Sequence, residues 1–334
     1  MAGVWRSGGV RWGEDGPGLV WERAGGERRI SAIAYGGEIG FRVVGERTCV
    51  GARGNACPGR VLVARGSGQA RCAECGRLDR VHSVAADGVP DDPRVYRVYL
   101  AWFGPGLVKV GITAEERGGA RLREQGAVAF SWLGRGPLMA ARRCEELLRA
   151  ALGVPDRISY EQKRAIRAAL PGPGERAGEV AGLHARAVAL SGWPESLEAL
   201  GCDVVDHAVV FGLAGLRPAD GVVAELVPDG VVAGRVLAAA GPDLHLGTGD
   251  GRVVVLDTRL MSGWGLVGAA AAAAGSGGVA GAGAGSGAGG SSGVGGSPGA
   301  GGSPGADGSH GTGGLTVPVR ALRGRRVDPQ DQLF

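Results

Sequence analysis

The chain has 334 residues, a formal net charge of +4 and 67 glycines, with 35 arginines against 2 lysines. Such a length allows two or three small domains rather than one. Glycine so far above its usual share of ~7%, and so lopsided a choice of basic residue, read as a coding bias. The positive charge is therefore weak evidence for a nucleic-acid partner. The opening residues lack an apolar h-region, which argues against a secretory signal. Residues 265–274 fall far short of the ~20 apolar residues of a membrane span, so a cytoplasmic protein with no membrane partner is expected.

Residues 1–93 read as a β-rich module, with short apolar runs at Gly18-Leu19-Val20-Trp21 and Ile39-Gly40-Phe41-Arg42-Val43-Val44 bounded by glycines. Their strand context predicts that Trp5, Trp12 and Trp21 pack a small sheet core rather than bind a base. Cys49, Cys57, Cys72 and Cys75 fall within 27 residues, and Cys72-Ala73-Glu74-Cys75-Gly76 has the shape of a zinc knuckle. Four thiolates complete a tetrahedral structural zinc site with no open position for chemistry. Seven residues separate Cys49 from Cys57 where two to four are usual, so unpaired thiols or a disulfide stay open as alternatives, the disulfide disfavoured in a reducing compartment. His82 reads as an exposed histidine after the knuckle, with substitution for Cys49 as a ligand the lesser alternative.

Residues 94–200 read as an α/β core. Val98-Tyr99-Leu100, a Gly104-Pro105-Gly106 turn and Val108-Lys109-Val110-Gly111-Ile112-Thr113 predict a hairpin. Alternation puts Arg97 and Tyr99 on one side, and Lys109, Gly111 and Thr113 on one face of the second strand. Gly111 leaves room for a phosphate or a neighbouring backbone. Thr113 with Glu116 three residues on predicts a capping box and a helix, on which Arg117, Arg121 and Gln125 share a face despite Gly118-Gly119 in its interior. Tyrosine, lysine and arginine then converge on one anion, the donors a phosphodiester transition state needs. A second helix over 139–152 carries Cys144, Leu147, Leu148 and Ala151 as its apolar face, with Glu145 at the edge and Glu146 further round. Since the chain has so few lysines, one inside Val-Lys-Val-Gly is unlike background.

Residues 201–265 return to strands at 204–210, 231–237 and 253–256, which either close a barrel with the N-terminal strands or form a small domain. Residues 266–314 are Gly, Ala and Ser with few others, a composition expected to form a disordered tether. As flexible coil it has an end-to-end distance of about 35–40 Å. The last segment, 315–334, is basic around Arg320, Arg323, Arg325 and Arg326 and ends Gln330-Asp331-Gln332-Leu333-Phe334. The fold class expected is α+β. His184, His207, His245 and His310 are scattered and suggest no role.

The hairpin and helix over about 95–150 resemble the core of the GIY-YIG nuclease superfamily. The resemblance implies phosphodiester hydrolysis with one divalent metal, Mg²⁺. Tyr99 would help activate water, Arg121 would stabilise the transition state, Glu145 would bind the metal, and Gln125 would stand where a histidine is often found. Lys109 replaces the second tyrosine, and the terminal asparagine of several branches has no evident counterpart. Arg97, Gly111, Thr113, Arg117 and Gln125 would bind the DNA or RNA substrate. A module that binds nucleic acid, with Arg121, without cutting it is the rival reading, and a structural zinc protein whose hairpin and helix are merely core is a third. The order of segments over roughly 1–265 is also similar to an uncharacterised bacterial family known as a domain of unknown function (DUF 2797). The ending, through Gln330, Leu333 and Phe334, resembles the Gln-x-x-Leu-Phe peptide by which bacterial replication and repair proteins dock on the DNA sliding clamp. It implies that clamp as a partner.

Overall fold

The computed structural model describes residues 3–23, 26–81, 92–269 and 314–322. Most of the expected tether, His82 and the terminal Gln330–Phe334 peptide lie outside the described residues. The fold is mixed α/β and strand-rich. Among the described residues no helix is long and apolar enough to cross a membrane.

Three strands open the chain, β1 (Arg6–Gly13), β2 (Gly16–Glu22) and β3 (Arg28–Ala32), and pair in that order as an antiparallel sheet. The three tryptophans part company there. Trp12 is buried, meets Phe211 edge-on at 4.9 Å between ring centroids and donates its indole N–H to Gly241 O at 3.0 Å. It behaves as the core residue expected. Trp21 is half-buried but packs against the same core, while half-buried Trp5 shares an open cleft with Trp21, Arg29 and Phe41; Arg29 lies 4.1 Å from the Trp5 ring centroid. Next come β4 (Glu38–Val44), the cysteine loops and α1 (Ala73–Val81).

The middle of the chain runs β5 (Val95–Trp102), β6 (Val108–Ala114), α2 (Ala120–Gln125), β7 (Ala129–Pro137) and α3 (Leu138–Leu152), a ββαβα unit. Helices α4 (Tyr160–Ile166) and α5 (Pro173–Val188) follow. Short strands β8 (Glu198–Ala199) and β9 (Val204–Asp206) both pair with β7, completing a five-stranded sheet with β6 at its edge. β5 lies inside that sheet and is buried on both faces. Val98 and Leu100 pack with Cys144 and Leu148 of α3, while Tyr99 and Ala101 pack with Leu122 of α2. The apolar face of α3 is Leu138, Ala140, Ala141, Cys144 and Leu148. Leu147 is half-buried and Ala151 exposed, so the stripe lies further toward the N-terminal end than the sequence pattern suggests.

The remaining strands are β10 (Gly221–Val223), β11 (Val231–Ala240), β12 (Asp243–Gly247), β13 (Val253–Asp257), β14 (Gly265–Gly268) and β15 (Val319–Arg320). They recruit β4 into a seven-stranded sheet ordered β14-β4-β11-β12-β13-β10-β15, antiparallel except for β10 beside β13. The first and last β-rich stretches are thus joined by β4 pairing with β11 over five residue pairs, in a sheet that ends at β14 and β15 rather than in the closed barrel of the first alternative. The run expected as a strand over 204–210 stops at Asp206. From His207 the chain turns, His207 N–H bonding Val128 O at 2.7 Å, and Val209 is 84% exposed. A run of β-branched residues favours a strand but does not supply a partner for it.

Candidate functional site

The β5–β6 hairpin is closed by Leu107 N–H bonding Gly104 O at 2.8 Å, with Gly106 at positive φ. Its register sets Tyr99 opposite Gly111 and Ala101 opposite Lys109. Gly111 does not leave an open phosphate berth. A Cβ there would collide with the hydroxyl and ring of Tyr99, so the glycine is where the tyrosine lies down across its neighbour strand.

After β6 the chain also departs from expectation. Thr113 stays in the strand, buried, and caps nothing. A single 3-10 turn over Glu115–Arg117 ends at Gly118 with φ +47°, and α2 begins only at Ala120. A positive φ suits glycine and breaks the helix that the Thr113–Glu116 spacing suggested. Arg117 therefore lies off α2 and pairs with Glu124 at 2.6 Å. Arg97 is likewise engaged elsewhere, bonded to Glu115 at 2.7 Å and stacked over Trp132 at 5.1 Å. Arg135 shares that carboxylate, and its two arginines hold Glu115 well below the usual carboxylate range.

The rest of the expected set does come together. Gln125, on the last turn of α2, donates its amide to the Tyr99 hydroxyl at 2.8 Å. Lys109 Nζ lies 5.7 Å from the Tyr99 ring centroid and donates to Asp156 O at 3.1 Å. Arg121, Glu145 and Asp156 are near enough to act electrostatically on Lys109, and Arg121 and Glu145 act on Tyr99 as well. Tyr99 is 2% exposed, and burial pushes its hydroxyl up from the ordinary phenol value. Burial, then the Arg121 guanidinium, bring the Lys109 ammonium down to about 8. Burial, then Asp156, push the Glu145 carboxyl up. The half-buried amine, rather than the buried phenol, is thus the group poised to exchange protons near neutrality.

Behind this cluster is a second one that the sequence pattern did not suggest. Ser159 opens α4 with a complete capping box to Gln162, and the helix buries Lys163 and Arg164, with Arg167 buried at its C-cap. Arg164 forks onto Asp243 at 2.6 and 3.0 Å and also reaches Asp257 at 2.7 Å; Arg167 bonds Asp243 at 2.9 Å. Lys163 donates to Gln125 O at 3.1 Å. The rarity of lysine, which singled out Lys109, applied equally to Lys163.

The four cysteines form the other candidate site. Their Sγ atoms all lie within 4.8 Å of one another, and Cys49, Cys57 and Cys75 are buried. The long Cys49–Cys57 spacing is absorbed by a tight hairpin. Ala52 bridges Asn55 across Arg53 and Gly54, both at positive φ, which brings Cys57 back beside Cys49. Backbone N–H groups of Gly51 and Cys72 point at Cys49 Sγ, at 3.3 and 3.2 Å. A thiolate benefits from such donors. The N–H of Val61 leads in bringing Cys57 down to about 7, while burial and the other sulfurs push Cys75 up to about 12. One soft cation at the centre of four sulfurs removes that conflict, and the spacing suits the ~2.3 Å bonds of tetrahedral zinc.

Together these describe a strand-rich α/β protein with a four-cysteine metal-site geometry and a ββαβα unit. The chain belongs to the family described as "Protein of unknown function (DUF2797)", whose model matches residues 36–266. No curated protein and no solved structure matches it.

Proposed function

We propose that the ββαβα unit carries a GIY-YIG-like phosphodiesterase site acting on DNA or RNA with Mg²⁺. The convergence of Tyr99, Lys109, Arg121, Gln125 and Glu145 around one hairpin carries this reading. Glu145 would hold the metal, which when bound supplies positive charge to the leaving oxygen. Lys109, neutral above about pH 8, accepts the proton of the attacking water. Tyr99 stays protonated and, fixed by Gln125, orients that amine from below. Arg121, 42% exposed at its side chain, faces the charge that develops on the phosphoryl oxygens. The four cysteines would hold a structural zinc.

Cleavage of labelled single-stranded, duplex and branched DNA and RNA, with and without Mg²⁺, tests the reading. Metal-dependent cutting is expected, rising with pH through about 8 and lost in Glu145→Ala. No cutting by wild type on any substrate would overturn it.

The burial of the Tyr99 hydroxyl favours a second reading, a module that binds nucleic acid without cutting. Arg121→Ala would then weaken binding while Glu145→Ala would not. In either case Gln330, Leu333 and Phe334 would recruit the chain to a sliding clamp.

A further inference from the structure

We infer that Lys163 is a positioning residue for the Tyr99 site, holding Gln125, and through it the Tyr99 hydroxyl, from a helix outside the ββαβα unit. The positioning stands on contacts alone, and only its consequence for cleavage rests on the phosphodiesterase reading.

Lys163 is 3% exposed. Its ammonium carries three donors and among the described residues makes one hydrogen bond, to the Gln125 carbonyl at 3.1 Å. Two aromatic faces flank it: Nζ lies 3.9 Å from the Phe103 ring centroid and 4.5 Å from that of Tyr160. A cation–π slot of this kind takes a compact ammonium; a planar guanidinium has another shape. In a chain that uses arginine almost everywhere, this position keeps one of its two lysines.

The carbonyl Lys163 grips belongs to the residue whose side-chain amide donates to Tyr99 at 2.8 Å. That residue has little freedom to slide. The next one, Gly126, lies so close to the turn between β11 and β12 that a Cβ would meet Arg167 Nη2 at 2.6 Å and the backbone of Gly241 at 3.1 Å. Helix α4 is in turn fixed to β12 and β13 through Asp243 and Asp257. The path is Asp243 and Asp257, α4, Lys163, Gln125, Tyr99. It runs from the seven-stranded sheet into the hairpin.

Lys163 also faces Lys109 electrostatically. The groups acting on Lys163 are Arg167, Lys109, Asp243 and Arg259, with the Tyr160 ring against it; those acting on Lys109 are Arg121, Glu145, Asp156 and Arg157, with the Tyr99 ring beside it. Burial brings Lys163 down to about 7, below the value of about 8 for Lys109, so Lys163 carries little charge where Lys109 titrates and its role is one of contact.

The test uses the full chain labelled at tyrosine ¹³Cζ, which is tractable because the chain has only four tyrosines. Tyr99→Phe assigns the resonance. Lys163→Met is expected to move the Tyr99 signal and that of its neighbour Tyr160, leaving Tyr35 and Tyr96 in place. On a cleaved substrate, kcat should fall on the order of tenfold to a hundredfold with KM little changed. An unmoved Tyr99 signal in folded Lys163→Met would overturn the inference. If wild type cuts nothing yet the signal moves, the phosphodiesterase reading fails and the positioning role stands. Should Lys163→Met not fold, Lys163→Gln, which keeps a shorter neutral donor, is read by the same signal.

Discussion

Two buried arginine clusters tie this molecule together, and they are built on opposite principles. Arg47, 1% exposed, links the cysteine loops to the turn after β13 using carbonyl oxygens alone. It bonds Ala64, Arg65 and Ser67 on one side and Ser262 and Arg259 on the other. Arg164 and Arg167 link α4 to the seven-stranded sheet through carboxylates, with Asp243 shared between them and 0% exposed. Carbonyls are neutral dipoles, and those of Ala64 and its neighbours belong to a surface loop that can turn to water. The Asp243 carboxylate has no such retreat, nor do the guanidiniums it serves. The ionic cluster is therefore the more brittle, although both hold a guanidinium out of solvent.

The largest effect should come from Asp243→Ala. It strands Arg164 with Asp257 alone and leaves Arg167, whose Nε and Nη2 already lack hydrogen-bond partners among the described residues, without the carboxylate it bonds. The expected loss is about 3–5 kcal/mol, measured by chemical denaturation. A loss under about 1 kcal/mol would mean that the cluster is solvated and the contrast with Arg47 is false.

Arg47→Met should cost less, about 2 kcal/mol, because the abandoned carbonyls can rehydrate. Its signature is local. Amide exchange should quicken first over 61–70, and the zinc proposed for the four cysteines, measured by metal analysis after dialysis against a chelator, should be lost sooner than from wild type. Uniform loss of protection across the seven-stranded sheet instead would show that Arg47 is as central as Asp243.

How far the sequence disclosed these features follows from the range over which each is encoded. The β5–β6 hairpin and the four cysteines are local patterns, and both were legible; alternation and a Gly-Pro-Gly turn suffice for one, a close Cys72–Cys75 pair within a 27-residue cluster for the other. The start of α2 was misread because a capping-box spacing is a weak local signal, overruled by Gly118 at positive φ. Gly111 was misread because its reason lies on another strand, in the Tyr99 ring. The α4 cluster was invisible in pattern. Arg164 and Asp243 are 79 positions apart, and in an arginine-rich chain nothing marks which arginine will be buried. Only Lys163 carried a compositional hint, the one that had drawn attention to Lys109.

The smallest effect is one of pH, and it sharpens the comparison because it concerns cations without carboxylates of their own. Burial, then Arg167, bring Lys163 down to about 7, and burial beside Arg167 and Arg164 brings His245 down to about 3. Each folded value lies below its unfolded one, near 10.4 for lysine and 6.5 for histidine. Within each window the unfolded chain binds a proton that the native state refuses, so stability rises with pH there. Lys163 contributes between about 7 and 10, and His245 between about 3 and 6.5. Lys163→Met removes the first window only. Its melting temperature should vary less than wild type between pH 7 and 9, a difference on the order of 1–2 kcal/mol, while the acid limb set by His245 is unchanged. A variant that keeps the full alkaline slope would show that Lys163 remains protonated in the fold, its charge accommodated by Gln125 and the two rings.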